Sequence, residues 1–171
     1  MSEKTSATDI PGYFMRYISK TDGKDLVQTL QTSFIRNSKW MESLPSDLLS
    51  YAYAPGKWTL SQVLGHVLDC ERIFAYRALC FARGEGQVLS GFEQDDYVAM
   101  SNVKSWSLKQ MLEEYQAVRM STISLFKNLD SESLGRSGKF SGNVLSVEQI
   151  GRIILGHEIH HLEVIDERYL K

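Results

Sequence analysis

Apolar residues recur at the helical period in four long stretches of this chain. In the first, about Asp25 to Leu44, the residues Leu26, Val27, Leu30, Phe34, Met41 and Leu44 share one stripe. The second runs from Trp58-Thr59 to about Ala82, with Leu60, Val63, Val67, Phe74, Ala78 and Phe81 on one face. The third runs from Ser107 to about Asn128 on Met111, Leu112, Tyr115, Val118, Leu125 and Phe126. The fourth begins at Ser146 and runs nearly to Leu170. Strand-like alternation of any length is absent, and so is an internal repeat.

Three of the starts carry the capping-box pattern: Thr59 with Gln62, Ser107 with Gln110, and Ser146 with Gln149. Asp25 with Gln28 is a weaker version. The three prolines, Pro11, Pro45 and Pro55, all precede the second stretch, so nothing later interrupts a long helix. A short stretch, Pro45 to Lys57, joins the first two helices. A long one, Arg83 to Trp106, joins the second to the third, and so long a crossover lets those two run parallel. Residues 130–145, with Gly135, Gly138 and Gly142, read as an irregular loop. The expectation is an all-α four-helix bundle with one long crossover, forming a single domain over residues 1–171. Residues 1–20 drape over it, anchored by Tyr13, Phe14 and Tyr17.

Length and composition agree with this. The chain has 171 residues, enough for one domain with a sizeable core, and its 43% hydrophobic and 23% charged content is that of a globular protein. A net charge of -2 gives no reason to invoke nucleic acid or an anionic membrane. No apolar run reaches bilayer-spanning length, and the N-terminus MSEKTSATDI lacks a signal-peptide core, so a cytoplasmic protein is expected. Cys70 and Cys80 lie ten residues apart on one helix, roughly 15 Å along its axis, too far for a disulfide.

The candidate chemistry lies in four histidines. His66 stands alone on the second helix; His157, His160 and His161 crowd the last one. On a helical wheel His161 lies about 40° from His157, both amid Ile150, Ile153, Ile154, Val164 and Ile165. His160 falls on the flank. Two imidazoles one turn apart on a buried face would each need a buried partner, and a shared divalent metal satisfies both. His66, beside Val63 and Cys70, supplies a third ligand and leaves other coordination positions open. The alternative is three core histidines held by hydrogen bonds, with no metal.

The run His157-Glu158-Ile159-His160-His161 also matches H-E-x-x-H. Only ten residues follow it, so no downstream ligand can return, and Glu158 points about 100° away from the pair. The protease reading is therefore set aside. Glu71, within the stripe of the second helix, is a candidate base or orienting group, with an ion pair as the plainer alternative. Arg119 falls on the third stripe and meets either an anionic substrate or an ordinary ion-pair partner. Asp69 is expected in solvent, and Tyr51, Tyr53 and Trp58 pack the bundle end.

The residues Tyr53-Ala54-Pro55-Gly56-Lys57-Trp58-Thr59, followed by Gly65-His66-Val67 and Asp69-Cys70-Glu71-Arg72, resemble the start of the second helix in DinB-like proteins. The loop Gly91-Phe92-Glu93-Gln94-Asp95-Asp96-Tyr97 and the ending Gly156-His157-Glu158-Ile159-His160-His161-Leu162 resemble the same family. The resemblance covers residues 11–171. It implies an up-down-down-up bundle, often dimeric, and a divalent metal, commonly nickel or zinc, held by three histidines. These carry over onto His66, His157 and His161, with His160 at a variable position. Some relatives are metal-dependent transferases or isomerases using low-molecular-weight thiols, and others are called hydrolases. The expected function is thus thiol S-transfer or hydrolysis of a small electrophilic substrate by a homodimer. The alternative is a non-catalytic stress-response or binding bundle whose metal is structural or absent.

Overall fold

The computed structural model describes residues 12–21 and 23–171. Its elements in chain order are α1 (Gly12–Ile18), α2 (Leu26–Glu42), α3 (Leu60–Ala82), α4 (Gln94–Met100), α5 (Leu108–Lys127), α6 (Ser131–Gly135), β1 (Ser137–Phe140), β2 (Asn143–Ser146) and α7 (Val147–Arg168). Short 3-10 turns follow α1, precede α3 and precede α5.

The long helices begin where their caps dictate. The Thr59 hydroxyl accepts from the Gln62 N–H while the Gln62 side chain accepts from the Thr59 N–H, and the same reciprocal pair forms at Ser107–Gln110 and Ser146–Gln149. Asp25 accepts from the Gln28 N–H at 2.7 Å. Each cap satisfies helix-start donors that would otherwise be orphaned, worth about 1 kcal/mol.

Helix direction follows from which residues meet. Leu26 at the start of α2 and Phe126 at the end of α5 both press on Gly151 at the start of α7. At the other end Met41, Met111 and Ile165 surround one small cavity. So α2 and α7 run one way and α5 the other. The Tyr169 hydroxyl, just past the end of α7, donates to the Trp58 carbonyl just before α3, so α3 runs against α7 and with α5. The order is up-down-down-up, with the crossover between α3 and α5.

Two apolar clusters fill the bundle. One includes Leu30, Phe74, Phe126, Ile150 and Ile154; the other includes Met41, Leu64, Leu68, Met111 and Ile165. Between them lies a polar layer drawn from the middle of all four long helices: Ser33, His66, Glu71, Arg119, His157 and Glu158, all buried.

Two connections are more ordered than expected. The crossover contains α4 and a 3-10 turn at Val103–Ser105, whose Val103 is buried against Gly65. The irregular loop expected over 130–145 is corrected: it holds α6 and an antiparallel hairpin pairing Ser137 with Ser146 and Phe140 with Asn143. The two-residue turn, Ser141-Gly142, has positive φ at both positions (47° and 79°), the twist a tight hairpin needs. The hairpin packs on the end of α3, where a Cβ at Gly138 would overlap the Phe81 ring. The N-terminal anchors named above fall in α1, which packs on α7; Phe14 and Tyr17 are buried, whereas Tyr13 is half exposed. Residues 1–11 lie outside the described residues. Among the described residues no helix is long and apolar enough to cross a membrane.

Candidate metal centre

His157 and His161 sit one turn apart on α7, and i, i+4 spacing aims both rings at one point. α3 brings His66 to the same point. The Nε2 of His157 lies 3.2 Å from that of His66 and 3.1 Å from that of His161. A ligand nitrogen from each of the three residues falls within 4.8 Å of the others. His160 stands outside this group, its ring against Tyr17 and His161.

Hydrogen bonding alone does not account for the arrangement. A neutral ring nitrogen carries either one proton or one lone pair, so His157 Nε2 makes at most one good hydrogen bond to its two neighbours. One cation accepts all three lone pairs. At metal–nitrogen distances of about 2.0–2.1 Å, adjacent ligand nitrogens lie about 3 Å apart, as both of these pairs do. The donor set therefore fits a divalent transition metal of the kind imidazole favours.

The electrostatics agree with ligand duty. Burial pulls His66 from 6.5 down to about 4, the Asp95 carboxylate partly opposing it. Burial, then the neighbouring His66 and His160, take His161 to about 3. His157 is held well below its ordinary value by burial and by His161 and His66. All three rings are neutral near pH 7, with lone pairs free to bind. Tyr17 covers His157 edge-on at 5.4 Å between ring centroids, and the Trp58 ring lies 5.0 Å from that of His66. Cys70 Sγ lies 3.6 Å from His66 Nδ1, and burial pushes its thiol up to about 12.

Beside the histidines lies a buried ion network. Arg119, 0% exposed, donates from Nε and Nη2 to the two Glu71 carboxylate oxygens, each at 2.8 Å. Its Nη1 donates to Ser33 Oγ at 2.6 Å and Glu158 Oε2 at 3.1 Å, and its Nη2 lies 2.9 Å from Glu158 Oε1. The Tyr115 hydroxyl donates to Glu158 Oε1 at 3.0 Å. All five guanidinium N–H groups are thus engaged. Burial opposes the Arg119 charge, but Glu158 and Glu71 hold it protonated well above the usual range. Of the alternatives for Arg119, the ion pair is the one formed, and both Glu71 oxygens are occupied by it. One arginine against two glutamates leaves a formal charge of -1 next to His157, which favours a cation at the histidines. Asp69 is half-buried and pairs with Arg72 at 3.5 Å. Tyr51 and Tyr53 pack on Tyr169 at the bundle end, as expected; Trp58 instead packs on His66.

Two cavities flank the three histidines. One, about 280 Å³, is bounded by His157, Cys70, Arg77 and the hairpin tip. The other, about 340 Å³, is bounded by His161, Trp58, Asp95 and Tyr169. Arg77 and Asp95 were not singled out from sequence. Arg77 had a usable signal: it follows His66 by eleven residues, three turns, and so shares its face to within about 20°. Asp95 lay within the loop that resembles DinB-like proteins, but nothing in its spacing pointed toward His161.

Comparison with known proteins accords with this geometry. The sequence profile of the DinB superfamily matches residues 30–165. The chain belongs to the DinB superfamily. Among DinB-type structures it is similar to YfiT from Bacillus subtilis, described as a probable metal-dependent hydrolase with an unusual four-helix bundle topology. That likeness has a TM-score of 0.73 and 17% identity, over 97% of this chain and 91% of YfiT. It is also similar to a mycothiol-dependent maleylpyruvate isomerase, with a TM-score of 0.64 and 11% identity, over 92% of this chain and 62% of the isomerase. At these identities the likeness establishes the shared DinB bundle fold. No curated protein matches the chain by sequence.

Proposed function

We propose that the chain is a metal-dependent enzyme in which His66, His157 and His161 hold one nickel or zinc ion and a small electrophilic substrate is attacked by a thiol or by water. The observation that carries the reading is the convergence of three neutral imidazoles on one point with a cavity on either side. When bound, such a metal lowers the pKa of a water or thiol and so supplies a nucleophile at neutral pH. Three protein ligands leave coordination positions open, the pattern of catalytic rather than closed structural sites. Tyr17 and Trp58 pack against the His157 and His66 rings. Asp95, exposed and bordering the cavity beside His161, is better placed to take a proton than Glu71, whose oxygens are occupied.

Thiol S-transfer is preferred to hydrolysis because a similar bundle belongs to a mycothiol-dependent isomerase, while YfiT keeps the hydrolase in play. The two cysteines are unpaired, which suits the cytoplasm. Exposed Tyr76, Leu79 and Met120 support a homodimer. The burial of His66 and His157 favours, as a second reading, a structural metal in a non-catalytic bundle.

Elemental analysis of tag-free protein tests the metal. About one equivalent of transition metal is expected in the wild type and in His160→Ala, and much less in His66→Ala, His157→Ala and His161→Ala. Failure to retain metal after reconstitution would overturn the reading. His161→Ala then separates the two roles: a sharp drop in melting temperature with no thiol reactivity to lose points to a structural metal.

A further inference from the structure

Among the described residues two arginines are buried, in very different company. Arg119 has every donor engaged by two glutamates and a serine. Arg77, 3% exposed, makes one hydrogen bond, from Nη2 to the Ser90 carbonyl at 2.8 Å. Among the described residues no carboxylate forms an ion pair with it. Glu93, which borders the same cavity, is exposed and unpaired with it. Aromatic rings surround the guanidinium instead: Phe140 at 4.1 Å, Phe74 at 5.2 Å and Phe92 at 5.9 Å from the ring centroids. These attract a cation but do not neutralise it. A buried charge without a counter-charge is costly, and a bound anion removes the cost.

The cavity at Arg77 is the one that ends at His157. Its far wall is the hairpin tip, where Ser141 is held at positive φ and Asn143 donates to the Phe140 and Ser141 carbonyls. The length of the cavity follows from helix geometry. Arg77 lies eleven residues beyond His66, about 16 Å along α3. Its side chain leans back toward Phe74 and recovers several ångströms. Roughly 10 Å then separates the guanidinium from the histidines.

We propose that this cavity is a subsite for an elongated organic carboxylate, its carboxylate on Arg77 and its reactive end at the three histidines, about 10 Å away. The proposal rests on the metal-dependent reading for the reactive end, while the carboxylate contact stands independently of it. The carboxylate belongs either to the thiol or to the electrophile, and the test separates them. Phe14, Phe74 and Phe140 line one part of the cavity and polar side chains such as Gln94 and Asn143 another, so a linker that lies along the rings is favoured when it is uncharged.

The probes are ω-mercaptoalkanoates of three to eleven carbons, octanoate, and 8-mercaptooctanol. Their affinities are measured by calorimetry on nickel-loaded and on metal-stripped protein. Affinity should peak near eight carbons, and replacing the carboxylate by the alcohol should weaken binding about 10- to 100-fold. Arg77→Met should produce the same loss for the acids and none for the alcohol, with Arg77→Lys between. If Arg77→Met does not fold, magnetisation transfer from octanoate to the Phe92 and Phe140 rings of the wild type replaces it. Octanoate binding through Arg77 with no gain from the thiol assigns the carboxylate to the electrophile; a gain that vanishes on metal stripping assigns it to the thiol. Both outcomes support the subsite. Equal affinity for acid and alcohol, no change in Arg77→Met, or no transfer to these rings overturns it. Loss of all octanoate binding on stripping the metal, with Arg77→Met unaffected, places the carboxylate on the metal and also overturns it.

Discussion

Replacing Arg119 by methionine should destabilise the fold severely, and more so at high pH. Methionine keeps much of the volume and removes the charge. The two carboxylates left behind, Glu71 and Glu158, are 2% and 3% exposed and lose all but the Tyr115 hydroxyl among the partners described above. Removing one side of a buried ion pair costs about 3–5 kcal/mol, because the remaining charge is neither solvated nor paired. For a chain of this length each kcal/mol moves the melting temperature by roughly 2–4 °C, so a fall of about 6–20 °C is expected. With the cation gone, burial favours the protonated carboxyls, and protonation stabilises the variant. Stability relative to wild type should therefore recover as pH is lowered from 8 to 5. Urea unfolding followed by circular dichroism at each pH measures this directly. The triple change Glu71→Leu, Arg119→Met, Glu158→Leu should regain most of the loss, since an apolar layer of similar volume carries no buried charge. A loss below about 1 kcal/mol at pH 8, or one that does not change with pH, would refute the account of this layer.

Three further outcomes follow from the geometry. In metal-free protein the buried neutral state of His66 contributes stability that is present above pH 6.5 and lost as pH falls from 6.5 toward about 4. The unfolded chain takes up a proton over that window and the folded one does not, a difference of about 3 kcal/mol at 1.36 kcal/mol per pH unit. His66→Gln should flatten that part of the curve, and an unchanged slope would count against a buried neutral ring. Gly156→Ala places a methyl group against the Tyr17 carbonyl, so α1 must lift from α7 at a cost of about 1–3 kcal/mol. Faster proteolysis near residues 12–21 would register it, and wild-type resistance would mean that α1 does not hold the histidines covered. Metal at a hundred times its dissociation constant should raise stability by about 2.7 kcal/mol, or roughly 5–11 °C, and a melting temperature independent of metal would remove the ion from the folded site.

The bundle was legible because its signals are local. Each long helix carries its own stripe and its own cap, and His157 and His161 share one turn, so their common aim needs no knowledge of the rest of the fold. The hairpin was not legible, because strands of four residues such as Ser137–Phe140 are too short to establish a period of two. Glu158 illustrates a different limit. Its placement about 100° from His157 is correct on the wheel, yet the residue is as buried as its neighbour. A helix inside a bundle meets partners on more than one side: α7 turns its histidines toward α3 and Glu158 toward Arg119 of α5. A wheel drawn for one helix reports direction, and only the neighbouring helices decide whether that direction is core or solvent.

The same reasoning separates the two halves of the candidate site. The three histidines lie on long helices, two of them at turn spacing, so a periodic pattern exposes them. What selects a substrate lies where helices meet segments without any period: Arg77 acquires its meaning from Ser90 in the crossover and from Phe140 at the hairpin tip, and Asp95 from the helix inside that crossover. If that division holds, changes to the crossover and the hairpin should alter which molecules bind while the metal stays. Phe140→Ala is the sharpest case: it removes the ring nearest the Arg77 guanidinium and opens the cavity, leaving all three histidines in place. Metal content should remain near one equivalent while the carboxylate chain-length optimum broadens; loss of metal together with carboxylate binding would show that the two halves are not separable.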